Sequence, residues 1–470
     1  MTVCSAARRS VGSSRWCEVE KSLQPPTRER RLNGVSAYLG DIASLIAELE
    51  AGPPASRIRT FSQVASDDVS IALRVLADVE GLGIVVHGAR GCAGALVRSR
   101  PGRPWAVTNL DQRDTILGAD GNLARTLRRL YQRHHPWGIV VVATPVVAIN
   151  NDDIQAVAQE LSDELGVPVV ELRTDGFRSR IGATGYDIAS AALASLVPPQ
   201  HGRRRDLINL LAFERGPGLT AVAQQLAGLG LEVNLMPAGA GQEAFAKAAQ
   251  AVLSVAVFQD ESDVLRRELD RLHRVPFLHL PPPIGALGAR RFVEAVAEAT
   301  ERPLPIRIDD RVSADLLEDR RVVIALPPSQ ALAIAELVVQ FGGRIAGISV
   351  DWIDSLHVEE LKALTNAATV ALHVGAGQAF ELVNWLGKIE PDLLIGTPAV
   401  AATATRAGIT AVAIEGDDLL GAAGETKLAT RIGRALAARQ NGFTAGLGTS
   451  AYRAGWLKRS PDWHIKREVR

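Results

Sequence analysis

The residues best placed to do chemistry lie in the run Gly81 to Cys92, GLGIVVHGARGC. A short apolar strand is expected to end at His87. Gly88 and Gly91 then turn the chain, and a helix is expected to begin near Cys92. A thiol at a helix N-terminus meets unpaired N–H groups and the positive end of the helix dipole. Both favour the thiolate, the form that ligates metal. The alternative on spacing alone is a small residue packed where strand meets helix.

Other chemistry is poorly supplied. The chain has three cysteines in 470 residues, too few for a disulfide scaffold or for a metal site built wholly from its own thiolates. Cys4 and Cys17 sit thirteen apart in a polar N-terminal stretch and are poor ligand candidates. No GxSxG, HExxH or CxxC occurs. Nine histidines are scattered, and the adjacent His134 and His135 would face different sides of a helix. Phosphate cradles are missing as well. Gly88, Gly91 and Gly94 form GxxGxxG rather than GxGxxG, Gly375-Ala-Gly377 has Phe380 where a third glycine would stand, and Gly387-Lys388 has Leu382 in place of the first glycine. These glycines read as strand-to-helix turns, and no nucleotide is expected on this chain. Asn150 to Asp153, with Asp152 and Asp153, read as a helix N-cap cluster. Arg173, Asp175, Arg178 and Arg180 read as a solvated or interface loop.

The elements that must position Cys92 follow an alternating rhythm. Nearly all-apolar runs (Gly83 to His87, Gly138 to Ala143, Val167 to Leu172) alternate with amphipathic helical patterns (Leu123 to His134, Ile154 to Leu165). That is the signature of parallel sheets covered on both faces. The rhythm restarts after His201-Gly-Arg-Arg-Arg205 with strands at Leu207 to Phe213, Leu231 to Met236, Leu253 to Phe258 and Val275 to Leu280. It restarts again after Pro303 with strands beginning at Arg321, Arg344, Val370, Leu393 and Ala411. The expectation is an α/β protein of three successive doubly wound, Rossmann-like α/β/α domains (56–200, 201–304 and 305–470) behind an N-terminal arm, 1–55. That arm is polar and Arg/Ser/Pro-rich. It carries one helical patch, Val35 to Leu49, and either wraps a partner or is a tail with one short helix. In such folds ligands sit beyond the carboxyl ends of strands and between domains.

Composition narrows the class. Hydrophobic residues are 47% and charged residues 22%, as in an ordinary globular protein. Lys+Arg and Asp+Glu are both 52, which argues against a nucleic-acid binder. The longest apolar stretch, Gly138 to Ile149, is shorter than the roughly 20 residues of a membrane span. The first residues lack a signal-peptide core, so a cytoplasmic, reducing location is expected.

The element His87-Gly-Ala-Arg-Gly-Cys92 resembles the HGxxGC element of the nitrogenase component 1 family. The sequel is similar in order. Thr115-Ile-Leu-Gly118 resembles a family segment before a helix. Pro136 to Ile154 resembles a strand, a turn and a Gly-Asp-Asp-Ile helix start. Thr184-Gly-Tyr-Asp187 resembles the Gly-Tyr/Trp-Asp element, and Trp456 to Arg467 is similar to tails of some members. The resemblance runs from roughly Arg57 to the end. It departs where the nitrogenase β subunit offers three cluster cysteines, because this chain has Ser62, Cys92 and Pro145 at those places.

A single surviving cysteine resembles the β-type subunit of the cofactor-assembly scaffold. It also resembles the β-type subunit of dark protochlorophyllide reductase, which offers one aspartate there. The resemblance therefore implies a β-type subunit of a nitrogenase-like two-component oxidoreductase. A homologous α-type partner in an α2β2 assembly would complete a four-iron four-sulfur cluster at the interface, with Cys92 as this chain's metal ligand and His87, Gly88 and Gly91 around it. An ATP-dependent iron–sulfur reductase would supply electrons. The alternatives are a scaffold subunit for metal-cofactor assembly without turnover, and a paralogue that has lost its cluster. No residue is assigned to catalysis, and no substrate is implied.

Overall fold

A computed structural model describes residues 27–60, 67–94, 103–145, 147, 152–174, 179–304, 315–364, 369–440, 452 and 454–468. In chain order the strands are β1 (Tyr38–Asp41), β2 (Arg57–Arg59), β3 (Leu82–His87), β4 (Trp105–Val107), β5 (Gly138–Ala143), β6 (Val169–Arg173), β7 (Arg204–Ala212), β8 (Glu232–Pro237) and β9 (Ala251–Ala256). They continue with β10 (Arg321–Ala325), β11 (Arg344–Val350), β12 (Ala371–Val374), β13 (Leu393–Gly396), β14 (Ala411–Ala413) and β15 (Ile465–Arg467). Three parallel sheets result, with strand orders β4-β3-β5-β6, β8-β7-β9 and β12-β11-β10-β13-β14. Helices lie between the strands, as in Ile154–Leu165 between β5 and β6. The fold is mixed α/β with parallel sheets.

Burial explains why the strands were legible. β3 and β5 are buried at every position, so β-branched residues cover both faces. Alternation along β7 sends Leu207 and Leu211 into a core shared with Val86, Val140 and Leu193, and sends Ile208 and Leu210 into a core shared with Val322 and Ile324. With a side-chain period of two, the second sheet is therefore packed on both faces. The expected strand Val275 to Leu280 is reduced to one bridge, Phe277 to Ser254, because Pro276 has no N–H to give a ladder.

The N-terminal expectation needs correction. Its first 26 residues, with Cys4 and Cys17, lie outside the described residues. The described part is no separate arm. β1 pairs antiparallel with β12, Tyr38 opposite Val374, and so extends the third sheet. The expected single helix Val35 to Leu49 is split. Asp41 accepts from the Ser44 N–H at 2.7 Å and starts a helix at Ile42–Glu50, whose Ile42 and Leu45 are fully buried. Partnering by β12, far away in sequence, overrode local helix propensity. β15 likewise pairs with β2. Among the described residues no helix is long and apolar enough to cross a membrane.

Buried charge ties these parts together. Arg28 is fully buried and donates its backbone N–H to Asp187 at 2.5 Å, while its guanidinium reaches Asp187 at 3.3 Å and Asp354 at 3.6 Å. His357 lies 3.1 Å from Asp354 and 2.8 Å from Asp260, which also accepts from the N–H and hydroxyl of Ser329. Burial opposes charge on the His357 ring, but the carboxylates of Asp354 and Asp260 outweigh it and hold its pKa at about 10. Gly185, in the Thr184-Gly-Tyr-Asp187 element, lets helix Thr184–Ser195 close on helix Asp68–Ala77. A Cβ there would come within 2.3 Å of the Asp68 carbonyl oxygen.

Two outcomes are expected. Gly185→Val forces these helices apart and costs about 1–3 kcal/mol or more in denaturant unfolding. The stabilisation held by His357 is complete below its unfolded pKa near 6.5 and is lost as pH rises through about 10. The melting temperature should therefore fall between pH 7 and 10, and His357→Gln should flatten that fall.

Candidate functional site

The first sheet runs β4-β3-β5-β6, so its first strand in sequence lies between the second and the third. The order of connection across the sheet reverses between β3 and β5, the switch point beyond whose carboxyl ends folds of this kind bind ligands. Three residues mark the strand ends at this edge: His87 closes β3, Thr108 follows β4 and Thr144 follows β5. All three are buried. Thr144 donates its hydroxyl to the His87 carbonyl at 2.9 Å, and the Gly88 N–H donates to Thr108 Oγ1 at 2.9 Å. Leu110 N–H donates to the Gly88 carbonyl at 3.0 Å. A Cβ on Gly88 would meet Thr144 Oγ1 at 2.4 Å, so this glycine is required by close approach.

From Gly88 the chain turns outward. Ala89, Arg90 and Gly91 are exposed, and Arg90–Ala93 forms one 3-10 turn closed by Cys92 N–H to the Ala89 carbonyl at 3.0 Å. Cys92 carries a free thiol and is half-buried, with its inner side against the core that contains Val86 and Val140. The expected helix N-terminus at Cys92 is not what the described residues show. A four-residue turn has little dipole, and the chain from 95 to 102 lies outside the described residues. Gly91 has no heavy atom within 4 Å of a built Cβ.

His87 is held on two sides. Its Nδ1 lies 3.1 Å from Thr108 Oγ1, and its Nε2 lies 3.3 Å from Asp152 Oδ2. Burial pushes this imidazole below its ordinary pKa, against the pull of Asp152. The expected cap cluster thus divides: Asp153 caps helix Ile154–Leu165 through Ala156 N–H at 3.1 Å, and Asp152 turns inward to His87. Asn150, with its neighbour 151, lies outside the described residues. Pro145 follows Thr144 at the end of β5, while Ser62 lies outside the described residues. In the charged loop Arg173 pairs with Glu171 at 2.8 Å and Arg180 bonds Ser56 and Glu468, whereas Asp175 and Arg178 lie outside the described residues.

A four-iron four-sulfur cluster takes four thiolates in its common form. Among the described residues no three of His, Cys, Asp and Glu converge on a metal position. The chain fits as the donor of one half-buried thiol on an exposed turn, and His87 is already engaged with Thr108.

Sequence reasoning passed over two arrangements. Ser349, His373, Glu381, His464 and Arg59 form one buried network, with His373 3.0 Å and His464 2.7 Å from Glu381. Apart from His373 and Glu381, eight residues apart, its members are distant in sequence, and they carry no spacing signal. Gly216-Pro217-Gly218 opens helix Pro217–Ala227, where the Asp417 carboxylate accepts from the N–H groups of Gly218 and Leu219 at 3.0 and 2.8 Å. A glycine-rich turn after a strand was the visible signal. Its own chain fills it with an anion.

The two glycines of the turn should respond oppositely. Gly88→Ala pushes on Thr144 and should cost about 1–3 kcal/mol. Gly91→Ala meets open space and should stay within about 0.5 kcal/mol of the parent in urea unfolding.

Comparison with known proteins identifies the family and the fold. The profile of the family described as nitrogenase component 1 type oxidoreductase matches residues 68–436. The chain is 25% identical over 366 residues to the B-type subunit of light-independent protochlorophyllide reductase from Methylobacterium sp. (strain 4-46), covering 72% of this chain and 71% of that one. It is 33% identical over 127 residues to the nitrogenase iron-molybdenum cofactor biosynthesis protein NifE of Klebsiella pneumoniae, covering 25% of this chain and 27% of that protein. A solved structure described as nitrogenase Cp1 at pH 6.5 superposes with a TM-score of 0.70 at 15% identity, over 87% of this chain and 100% of that chain, and so shares the fold. Ordered motifs, parallel sheets and a profile spanning most of the chain lead to one conclusion: the chain belongs to the nitrogenase component 1 type oxidoreductase family.

Proposed function

We propose that this chain is the β-type subunit of a nitrogenase-like two-component oxidoreductase. It pairs with a homologous α-type subunit, in an α2β2 assembly, and is served in the cytoplasm by an ATP-dependent iron–sulfur reductase. In this reading the chain divides into three α/β units near residues 201 and 305, and the segment holding β1 belongs with the third. A four-iron four-sulfur cluster bound at the subunit interface supplies one-electron redox chemistry. Cys92 provides this chain's ligand, the exposed Arg90–Gly91 rim leaves room for the partner's thiolates, and the buried floor of His87, Thr108 and Thr144 excludes water beneath the turn.

The observation that carries the reading is the single free, half-buried thiol at the carboxyl edge of the first sheet, without further ligands among the described residues. The relation to the B-type protochlorophyllide reductase subunit, over nearly three quarters of both chains, supports the β-type assignment. A second reading, a scaffold for metal-cofactor assembly without turnover, is favoured by the local 33% identity to NifE.

The test is co-expression with candidate α-type partners, followed by iron and sulfide analysis and electron paramagnetic resonance of the reduced complex. Cys92→Ala should lower iron content or change the spectrum while unfolding stability stays within about 1 kcal/mol. Cys92→Asp should keep part of the iron, because oxygen can replace one sulfur. Substrate turnover by the intact complex separates the reductase from the scaffold. Unchanged iron and spectrum in Cys92→Ala would leave Cys92 a packing residue and make the chain a paralogue without a cluster.

A further inference from the structure

Buried polar atoms nearly always have hydrogen-bond partners, so those that do not invite an explanation. Two such atoms face each other under the Cys92 turn: His87 Nε2 and Asp152 Oδ2 are buried, lack an aligned hydrogen bond, and lie 3.3 Å apart. The rest of the chain of contacts is closed. Thr108 Oγ1 accepts the Gly88 N–H at 2.9 Å and has one proton to give. Its contact with His87 Nδ1, at 3.1 Å, is shorter than its contact with the Gly88 carbonyl, at 3.3 Å. If that proton goes to Nδ1, the ring's own proton sits on Nε2, facing the Asp152 carboxylate. A carboxylate beside Nε2 favours that same tautomer. In that tautomer the directions agree from end to end: the Nε2 proton is on the side of Asp152 although the contact is not aligned, the Thr108 hydroxyl points to Nδ1, and the Gly88 amide to Thr108.

We propose that Asp152 is a positioning residue of the Cys92 site, setting the His87 tautomer and, through Thr108, fixing the Gly88 amide at the root of the turn that presents Cys92. Orienting partners of this kind are half of what tunes a metal site, because they set ligand direction and local charge. The misaligned His87–Asp152 contact is where the arrangement has slack, since catalytic and binding hydrogen bonds often tighten only when a site is loaded. Gly88 is bonded at both its N–H, to Thr108, and its carbonyl, from Leu110, so movement of His87 is passed along the backbone toward Cys92. The role deepens the proposed function and, for its effect on the bound group, rests on it.

The test uses Asp152→Asn, Thr108→Val and Thr108→Ser in the full chain and in the complex. In the chain alone, nitrogen NMR of His87 should show the Nε2–H tautomer and should change in Asp152→Asn. Exchange of the Gly88 amide should quicken about tenfold in Thr108→Val, as expected for loss of one hydrogen bond, and should return to the parent rate in Thr108→Ser. In the loaded complex, Asp152→Asn removes a negative charge and should raise the midpoint potential, Thr108→Val should shift it, and Thr108→Ser should not. If Asp152→Asn does not fold, Thr108→Val carries the test. An unchanged tautomer together with unchanged Gly88 exchange overturns the proposal. So does a parental potential in both Asp152→Asn and Thr108→Val when the cluster assembles normally, and that result leaves the proposed function standing. Changed exchange and tautomer in a complex that never holds iron supports the positioning role and rejects the proposed function.

Discussion

An arginine enclosed by carboxylates constrains the rest of the molecule. Arg28 has no exposed surface, and a charge so placed is tolerated only with partners in fixed positions. Its contacts Asp187 and Asp354, and Asp260, which holds the neighbouring His357, come from three separate stretches. Asp187 follows β6, Asp260 follows β9 and Asp354 follows β11. Each arrives on a segment leaving the carboxyl end of a strand, so satisfying one guanidinium and one imidazolium sets how the three sheets meet. Apolar packing provides the bulk attraction, since β7 sends alternate residues into two different cores. The ion network is directional and admits few arrangements of those cores.

That arrangement explains the contrast within the candidate site. Its floor is enclosed: β3 and β5 are buried throughout, and Thr144 and Thr108 bond the carbonyl and the N–H of the peptide that joins His87 to Gly88. Its rim is open, with Arg90 and Gly91 exposed and the half-buried Cys92 next after them. A thiol presented from such a base toward an open rim suits the shared site of the proposed function better than a site enclosed within one chain.

The sequence was legible where chemistry is local. Gly138 to Ala143 declared itself by an unbroken β-branched run and Ile154 to Leu165 by its apolar period, and the observed elements have those bounds. Cys92 declared itself by its setting between glycines. What stayed hidden depends on distant partners. The segment Val35 to Leu49 has helical periodicity, yet Tyr38–Asp41 is a strand because β12 offers it a ladder. Asp152 and Asp153 are equivalent as cap candidates until one finds a buried histidine 65 residues away, as the His87 contact shows. Arg28 sits in the polar, Arg-rich N-terminal stretch, and no local pattern distinguishes it from Arg30, which is exposed. His357, His373 and His464 carry no spacing that announces their carboxylate partners.

The pairing of β1 with β12 has a consequence for synthesis. Asp41 leaves the ribosome about 330 residues before Ala371, its partner across the ladder. At roughly 5–20 residues per second, that interval is on the order of tens of seconds. Throughout it, Tyr38, Ile42 and Leu45 have no finished sheet edge or core to enter. The nascent chain therefore carries a sticky amphipathic segment near its start until its last third emerges. Contacts so distant in sequence slow folding and prolong the exposure of such surfaces. Production of this protein should depend on chaperones that shield early-emerging apolar segments more than its ordinary composition would suggest.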